Sequence, residues 1–401
     1  MLLSSPVFAQ WTNIGPGGES LSAVSFADAS MGWVCGANSI FYSTTDGGKT
    51  WTFIPNFYNF KPHNNMLSVA ATGGDMVVVL EQLPSVATPT VIYHSVRGSS
   101  GVYTYAAGKD ALGDHNKLSL RQTSTGFAVG NGGTLALTRD KGFTWTNGSS
   151  GTSNDLFAAD SPDGIVAYIA GSKGTLRKAT GPGFTSWQAL NTTTTVRLTG
   201  VWFVTAQQGY IVGDAGTALR TSDGGVTWTA MSVGSIADLN AVRFLSPTTG
   251  FIAGDLGTLL LTTDGGKTWK PEASNTYETL TGIDATADGS AIWVVGGGGT
   301  VLKRGLVVPL ATRSTTVAAK WQAYPNPFTT TLNITIPSSH FASIKLLDLT
   351  GRTLAEQVFP TGSPANTYQF PLPMQLASGI YLVQIALDNQ ASEVQRIVHV
   401  Q

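Results

Sequence analysis

Thr262-Thr263-Asp264-Gly265-Gly266-Lys267-Thr268-Trp269 is the stretch that decides the fold. Its aspartate is suited to an Asx-type turn, accepting backbone N–H groups two and three residues on. The glycines supply the positive φ that a tight reversal needs. The second threonine then opens a new strand, and the tryptophan offers a large apolar face for burial. The same T-x-D-x-G-x-T-W pattern runs from Thr44 through Asp46 to Trp51, from Thr138 through Asp140 to Trp145, and from Thr221 through Asp223 to Trp228. A looser copy ends at Trp187. The terminal tryptophans lie 94, 42, 41 and 41 residues apart, so the first interval holds two periods, one of them degenerate. A constant period of this length marks a repeat architecture.

Each period contains four short strand signals. In one of them Leu239–Leu245 alternates, Gly250–Gly254 is a Gly-aromatic-aliphatic run, an Asp-x-Gly-Thr turn leads into Leu259–Thr262, and the aspartate turn leads into a strand at Trp269. Four strands bounded by turns make a propeller blade. First strands beginning near Leu21, Met66, Leu118, Asp155, Leu198, Leu239 and Leu280 give seven blades. The last blade lacks its aspartate turn and tryptophan, whereas Trp11-Thr12 opens the expected mature sequence with no preceding strands. The N-terminal segment is therefore expected to supply the outer strand of the last blade and close the ring.

The chain has 401 residues, 42% of them hydrophobic and 12% charged, with 47 glycines and a formal net charge of −1. Low charge and abundant glycine fit an all-β protein rich in tight turns. Without a basic stripe, nucleic-acid binding has no electrostatic footprint, and no apolar run is long enough for a membrane-spanning helix. One cysteine, Cys35, excludes an internal disulfide framework and is expected in a buried strand. The five histidines show no ligand spacing, so neither a metal nor a cofactor is expected. Residues 1–10 look like the end of a signal peptide, with Val7 and Ala9 at the −3 and −1 positions.

The repeat pattern ends near residue 305, and residues 306–320 read as a linker. Residues 321–401 carry further alternating β-branched runs at Leu332–Ile336, Ile344–Leu349, Tyr368–Phe370, Ile380–Leu387 and Val394–Val400, which suggest a small β-sandwich. The expected organisation is thus a signal remnant (1–10), a seven-bladed propeller (11–305), a linker (306–320) and a β-sandwich (321–401).

Two resemblances follow from these residues. The aspartate turns resemble the Asp-box, or BNR repeat, and blades such as Gly209–Thr217 followed by Thr221–Trp228 are similar to the photosystem II assembly-factor-like group. That resemblance implies a fold and leaves the function open. The C-terminal segment resembles the type A sorting domain of the type IX secretion system of Bacteroidetes. It does so through Tyr324-Pro325-Asn326-Pro327, Asp348-Leu349-Thr350-Gly351-Arg352, Leu376 with Gly379-Ile380-Tyr381, and the closing Arg396–Val400. The resemblance implies an immunoglobulin-like sandwich read by the outer-membrane translocon, and a secreted or cell-surface product that passes through the periplasm.

For function, two classes compete. Sialidases share the Asp-box, but their Phe-Arg-Ile-Pro motif and Tyr/Glu pair are not recognisable. Arg121, Arg197 and Arg243 are expected on first strands, nearest the channel, but at unequal offsets within the blades. Another propeller glycosidase would need two carboxylates about 5–9.5 Å apart, for which Asp155, Asp214, Asp255 and Glu278 are the candidates. Repeated turn chemistry accounts for the Asp-box residues and for Asp214 and Asp255 without a ligand. The alternative is a binding or scaffold module for a protein or glycan. Its candidates are Phe57, Tyr58 and His63 in the loop between blades one and two, with Arg197 and Tyr277 elsewhere. That loop is expected on the face bearing the Asp-x-Gly-Thr turns, opposite the Asp-boxes.

Overall fold

The computed structural model describes residues 10–54, 64–71, 76–82, 90–97, 103–107, 114–121, 124–181 and 183–305, and beyond them 322–324, 328–335, 343–347, 353–358, 367–370, 376, 379–386 and 393–399. The chain forms two compact units, residues 1–308 and 309–401.

In the first unit seven antiparallel four-stranded sheets follow one another in chain order. Blade 6 shows the pattern, with strands Leu239–Phe244, Gly250–Gly254, Leu259–Thr262 and Lys270–Pro271. Every residue of its second strand is buried, because both faces of that strand lie against other blades. The glycine at its start has a steric reason. A Cβ on Gly250 would stand 2.6 Å from the ring of Phe244, which lies across the backbone there.

All seven first strands carry an irregularity near their start, after the opening residue in six, such as Leu198/Gly200 and Leu239/Ala241, and after the second residue in blade 2. A bulge of this kind re-aims the extra residue. Here it sends polar side chains to the neighbouring blade. Asn116 Nδ2 donates to the Leu156 carbonyl at 3.1 Å, Asn240 Nδ2 to that of Leu280 at 3.1 Å, and Thr281 Oγ1 to that of Leu21 at 2.8 Å.

Aromatic triads join the blades further out. Trp228 meets Phe203 edge-on at 6.1 Å, and Phe203 stacks on Tyr168 of the preceding blade at 3.5 Å. Trp269, Phe244 and Tyr210 repeat the arrangement at 6.0 and 3.6 Å, as do Trp51, Phe26 and Trp293 at 6.3 and 3.5 Å. Such pairs contribute roughly 0.5–1.5 kcal/mol each beyond area burial. In these three blades the repeated tryptophan is therefore the outer member of an inter-blade stack, whereas Trp145 packs against aliphatic residues such as Val78 and Leu80.

The ring closes as the sequence suggests. Thr12 pairs with Lys303 and Asn13 with Leu302, so Thr12–Asn13 is the fourth strand of blade 7. The Ile14 N–H donates to the Val301 carbonyl at 2.8 Å. Trp11 is buried edge-on against Phe251 at 5.7 Å. Blade 7 has Ala285 at the register position that holds Phe in blades 1, 5 and 6, which is why Trp11 meets blade 6 directly. Cys35 is fully buried in the second strand of blade 1.

Blade 2, built from Asn65–Ala71, Met76–Gln82, Thr90–Arg97 and Tyr103–Ala107, buries Glu81 completely. Its carboxylate accepts from Asn64 Nδ2 at 2.7 Å, and burial pushes its pKa from 4.5 up to about 7. The folded state therefore binds a proton that the unfolded chain releases above pH 4.5. This contribution is full below that value and is lost as pH rises through 7. Glu81→Gln should flatten this loss. Between pH 5 and 8 the wild type is expected to lose on the order of 2 kcal/mol relative to the variant, measured by urea unfolding. Parallel pH profiles would exclude Glu81 as the source.

In the second unit Gln322–Tyr324, Leu332–Thr335 and Thr367–Phe370 form one sheet. Thr353–Val358, Ser343–Leu347, Gly379–Ala386 and Glu393–His399 form the other. Side chains from both sheets share one core, including Phe328, Ile334, Ile344, Phe370, Val383 and Ile397. Tyr381 of the sorting motif is in that core, and Leu376 packs against it. The strand at Thr353–Val358 was not among those expected. It pairs with Ser343–Leu347, the two being joined through the segment that holds Asp348 and Gly351. Asp348, Gly351 and Pro325–Pro327 lie outside the described residues.

Candidate functional site

The propeller has two faces with different chemistry. On one, the aspartate turns sit beside the hairpins joining first and second strands. The Gly224 N–H reaches Gln207 O at 2.8 Å, and the Gly265 N–H reaches Thr248 O at 2.8 Å. On the other, the turns between second and third strands meet the inter-blade loops. There Gly216 N–H donates to Ala237 O at 2.9 Å and Gly257 N–H to Glu278 O at 3.0 Å.

The four aspartate turns share one geometry, which corrects one of the expected hydrogen bonds. The N–H two residues on goes to the first threonine, whereas the N–H three residues on does reach the carboxylate, as from Lys267 to Asp264 Oδ1 at 3.0 Å. Asp264 Oδ1 accepts from the Thr268 N–H at 2.9 Å and Oδ2 from the Thr268 hydroxyl at 2.6 Å, both four residues on. Thr262 Oγ1 donates to Asp264 Oδ1 at 2.8 Å and accepts from the Gly266 N–H at 2.9 Å. Asp46, Asp140 and Asp223 repeat these contacts with Thr50, Thr144 and Thr227. The second threonine closes the loop rather than starting a strand, because its hydroxyl supplies the donor that saturates the carboxylate. Led by that hydroxyl, these bonds hold Asp46 and Asp264 well below the usual carboxylate range and Asp223 at about 2. Trp145 and Trp228 turn their indole N–H back to the loop carbonyls of Gly142 and Gly225, both at 3.1 Å. Each carboxylate is committed to its own loop.

On the opposite face, Arg197 forms a two-pronged ion pair with Asp214, with Nε 3.1 Å from both carboxylate oxygens. Both side chains are substantially exposed, and such a pair contributes little to stability. Tyr277 is 90% exposed, at the tip of the loop entering blade 7. Ile236 at the equivalent tip entering blade 6 is 92% exposed, and Leu256 in the adjoining turn is 73% exposed. Phe57, Tyr58 and His63 lie outside the described residues. The carboxylates on this face have structural partners. Asp155 Oδ1 accepts from the Gly132 N–H at 2.8 Å, and Asp255 Oδ1 from Asn240 Nδ2 at 2.8 Å. Glu278 lies so close to Gly297 that a Cβ there would stand 2.2 Å from Oε2.

The central channel holds a cluster that sequence reasoning did not assemble. Asp160, Trp202, Arg243 and Asp284 occupy the same register in blades 4 to 7, each opposite an aromatic residue of the second strand. The Trp202 ring has the Arg121 guanidinium 3.3 Å from its centroid and that of Arg243 at 3.8 Å. Arg121 is 2.6 Å from Asp160 and donates to the Phe203 carbonyl at 2.9 Å. Arg243 is 3.4 Å from Asp284 and donates to the Ala285 carbonyl at 3.1 Å. Asp160 also accepts from the Phe203 N–H at 2.6 Å, and Asp284 from the Phe26 N–H at 2.7 Å. Burial pushes the Asp160 carboxyl up, and Arg121 draws it back. Of the three arginines expected on first strands nearest the channel, Arg121 and Arg243 meet on the Trp202 ring there, whereas Arg197 precedes its strand and turns to Asp214 on the loop face. Arg121 itself follows the last residue of its strand. Aligning the repeats by their second strands was the signal that would have found this layer.

Among the described residues no group of three or more His, Cys, Asp or Glu side chains is placed to hold a metal ion. No helix there is long and apolar enough to cross a membrane.

Fold and channel together describe a seven-bladed propeller with interlocked blades, followed by a β-sandwich. Comparison with known proteins gives each part its relatives. Residues 182–276 match the family described as photosynthesis system II assembly factor YCF48. Residues 322–401 match the secretion system C-terminal sorting domain. The chain thus carries a sorting tail handled by type IX secretion machinery, which implies a secreted or cell-surface location.

Among solved structures, YCF48 bound to D1 peptide is 20% identical, with a TM-score of 0.61, over 76% of this chain and 99% of that one. YCF48 from Cyanidioschyzon merolae is 18% identical, with a TM-score of 0.60, over 74% and 99%. The WD40 β-propeller domain of Doa1 is 10% identical, with a TM-score of 0.59, over 74% and 95%. At these identities the likeness is one of fold. No curated protein sequence matches the chain.

Proposed function

We propose that the propeller is a binding or scaffold module for a protein ligand, displayed or released by type IX export after passage through the periplasm. The observation that carries this reading is the cluster of exposed apolar tips, Ile236, Leu256 and Tyr277, on the inter-blade-loop face. Aromatic and aliphatic side chains held out on short loops of a rigid ring suit protein contact. The Arg197–Asp214 pair on the same face supplies a polar rim. The peptide named with one YCF48 structure supports a peptide segment over a glycan as ligand. Binding is favoured over hydrolysis because Asp155, Asp214 and Asp255 already serve turns or an ion pair.

A photo-crosslinking residue at Tyr277 on the native cell surface should yield a discrete protein adduct. One at Val226, exposed on the aspartate-turn face, should not. Equal labelling from both positions, or none from Tyr277, would overturn the placement. Alanine at Phe57, Tyr58 and His63 is expected to weaken the same adduct without unfolding the ring.

A further inference from the structure

The channel carries a second feature, independent of the loop face. At the register position of Lys117, opposite Val129, the other six blades have alanine, serine or glycine. Six small side chains leave a chamber of about 160 Å³ on the axis, and Lys117 is the one long side chain of that layer. No carboxylate among the described residues lies within ion-pair distance of its ammonium.

The two acids lining this chamber are already engaged. Asp160 is held by Arg121 and the Phe203 N–H, and Asp284 by Arg243 and the Phe26 N–H. Lys117, Arg121 and Arg243 therefore outnumber the carboxylates, and protonation of Asp160 would widen the surplus. Donors are in surplus as well. Trp202 Nε1, Arg121 Nε and Arg243 Nε are buried with no protein acceptor. Buried donors, and a half-buried charge with no partner, are both costly unless something satisfies them.

A second chamber of about 330 Å³ adjoins the first, and Arg121, Trp202, Arg243 and Asp284 border both. Its remaining wall is largely apolar, with Val204, Phe244 and Leu245 among its residues.

We infer that the channel binds a small oxyanion, carboxylate or phosphate, seated by Lys117 in the polar chamber. Where the ligand has a short apolar tail, the tail lies past the Arg–Trp–Arg stack in the second chamber. The ligand supplies the acceptors that the donors lack and the charge that the lysine lacks. A folded protein segment is too large for either space, so the site is separate from the loop face. Desolvation lowers the Lys117 pKa, and an anion bound beside the amine would draw it back up by favouring the charged form.

The purified full chain would be titrated at constant ionic strength with acetate, butyrate, succinate and inorganic phosphate, and followed by calorimetry and thermal unfolding. At least one probe is expected to bind saturably in the millimolar range or tighter and to raise the melting temperature. The pattern across probes separates carboxylate from phosphate ligands. Lys117→Met should weaken binding at least tenfold, and Lys117→Arg should retain it. Should Lys117→Met fail to fold, Lys117→Gln takes its place with the same expected loss. Absence of saturable binding by every probe, or equal binding by the charge-removing variants, would overturn the site.

Discussion

Replacing Trp11 with alanine is expected to destabilise the propeller by about 3–5 kcal/mol, the range for removing a large buried aromatic. For a unit of this size the melting temperature should fall by on the order of 10 °C. Trp11 is 6% exposed and packs with Phe251, Leu259, Leu280, Ile292 and Leu302, so its loss opens a cavity between blades 6 and 7. Its ring also lies 5.8 Å from the Arg304 guanidinium, which is 1% exposed and paired with Glu272 at 2.6 Å. Without the indole that ion pair loses part of its cover. Deleting residues 10–14 should cost more, since it also removes the Ile14 carbonyl that accepts the Trp51 indole N–H at 2.8 Å. Thermal unfolding followed by circular dichroism reads both effects. A Trp11→Ala melting temperature within about 2 °C of wild type, less than 1 kcal/mol here, would show that closure does not stabilise the ring.

Removing residues 309–401 is expected to reduce extracellular protein at least tenfold in the native host, with folded propeller accumulating in the periplasm. The cut follows the boundary between the two compact units, so the propeller keeps all seven sheets. Cell fractionation with an antibody to the propeller measures the outcome. Fusion of 309–401 to an exported reporter is the reciprocal arm and should place the reporter outside the cell. Undiminished secretion of the truncated chain would falsify the sorting role. His399 bonds the Thr329 carbonyl at 2.8 Å and lies 4.9 Å from the Phe328 ring, so the last strand is joined to the start of the domain.

The sequence made the propeller legible because its period is written in residues that have one job. A tryptophan every 41 or 42 residues, preceded by a threonine–aspartate turn, locates the third and fourth strands of a blade directly. Trp11, one period before Trp51, located the closure. The turn's internal bonding was legible in part: the Asp264 carboxylate accepts from the N–H three residues on, but its shortest contact runs to the hydroxyl of the threonine four residues on, whose N–H it also accepts. The channel was not legible for a different reason. Ser119 holds the register of Trp202 and Arg243 in its blade, and Arg121, two residues further on, reaches the Trp202 ring from outside that register, which repeat alignment alone does not show. Lys117 was overlooked because its significance is comparative. It stands out only when the six small residues at its register are set beside it. Exposed tips are legible in neither way. Tyr277 was found by its place between blades, but Ile236 and Leu256 read as ordinary apolar residues until their exposure is known.

The closure also fixes an order of events. Asn13 and Val301, 288 residues apart, must meet before blade 7 has four strands. Contacts of such separation form late, because the chain between them must first be organised. A chain folding from its N-terminal end can assemble blades 1 to 6 in turn, yet its first strand waits unpaired until the last blade has formed. The completed ring is thus a record that synthesis ran through residue 305. Until then the molecule has an open seam, with two unpaired edges exposed to other chains or to a chaperone.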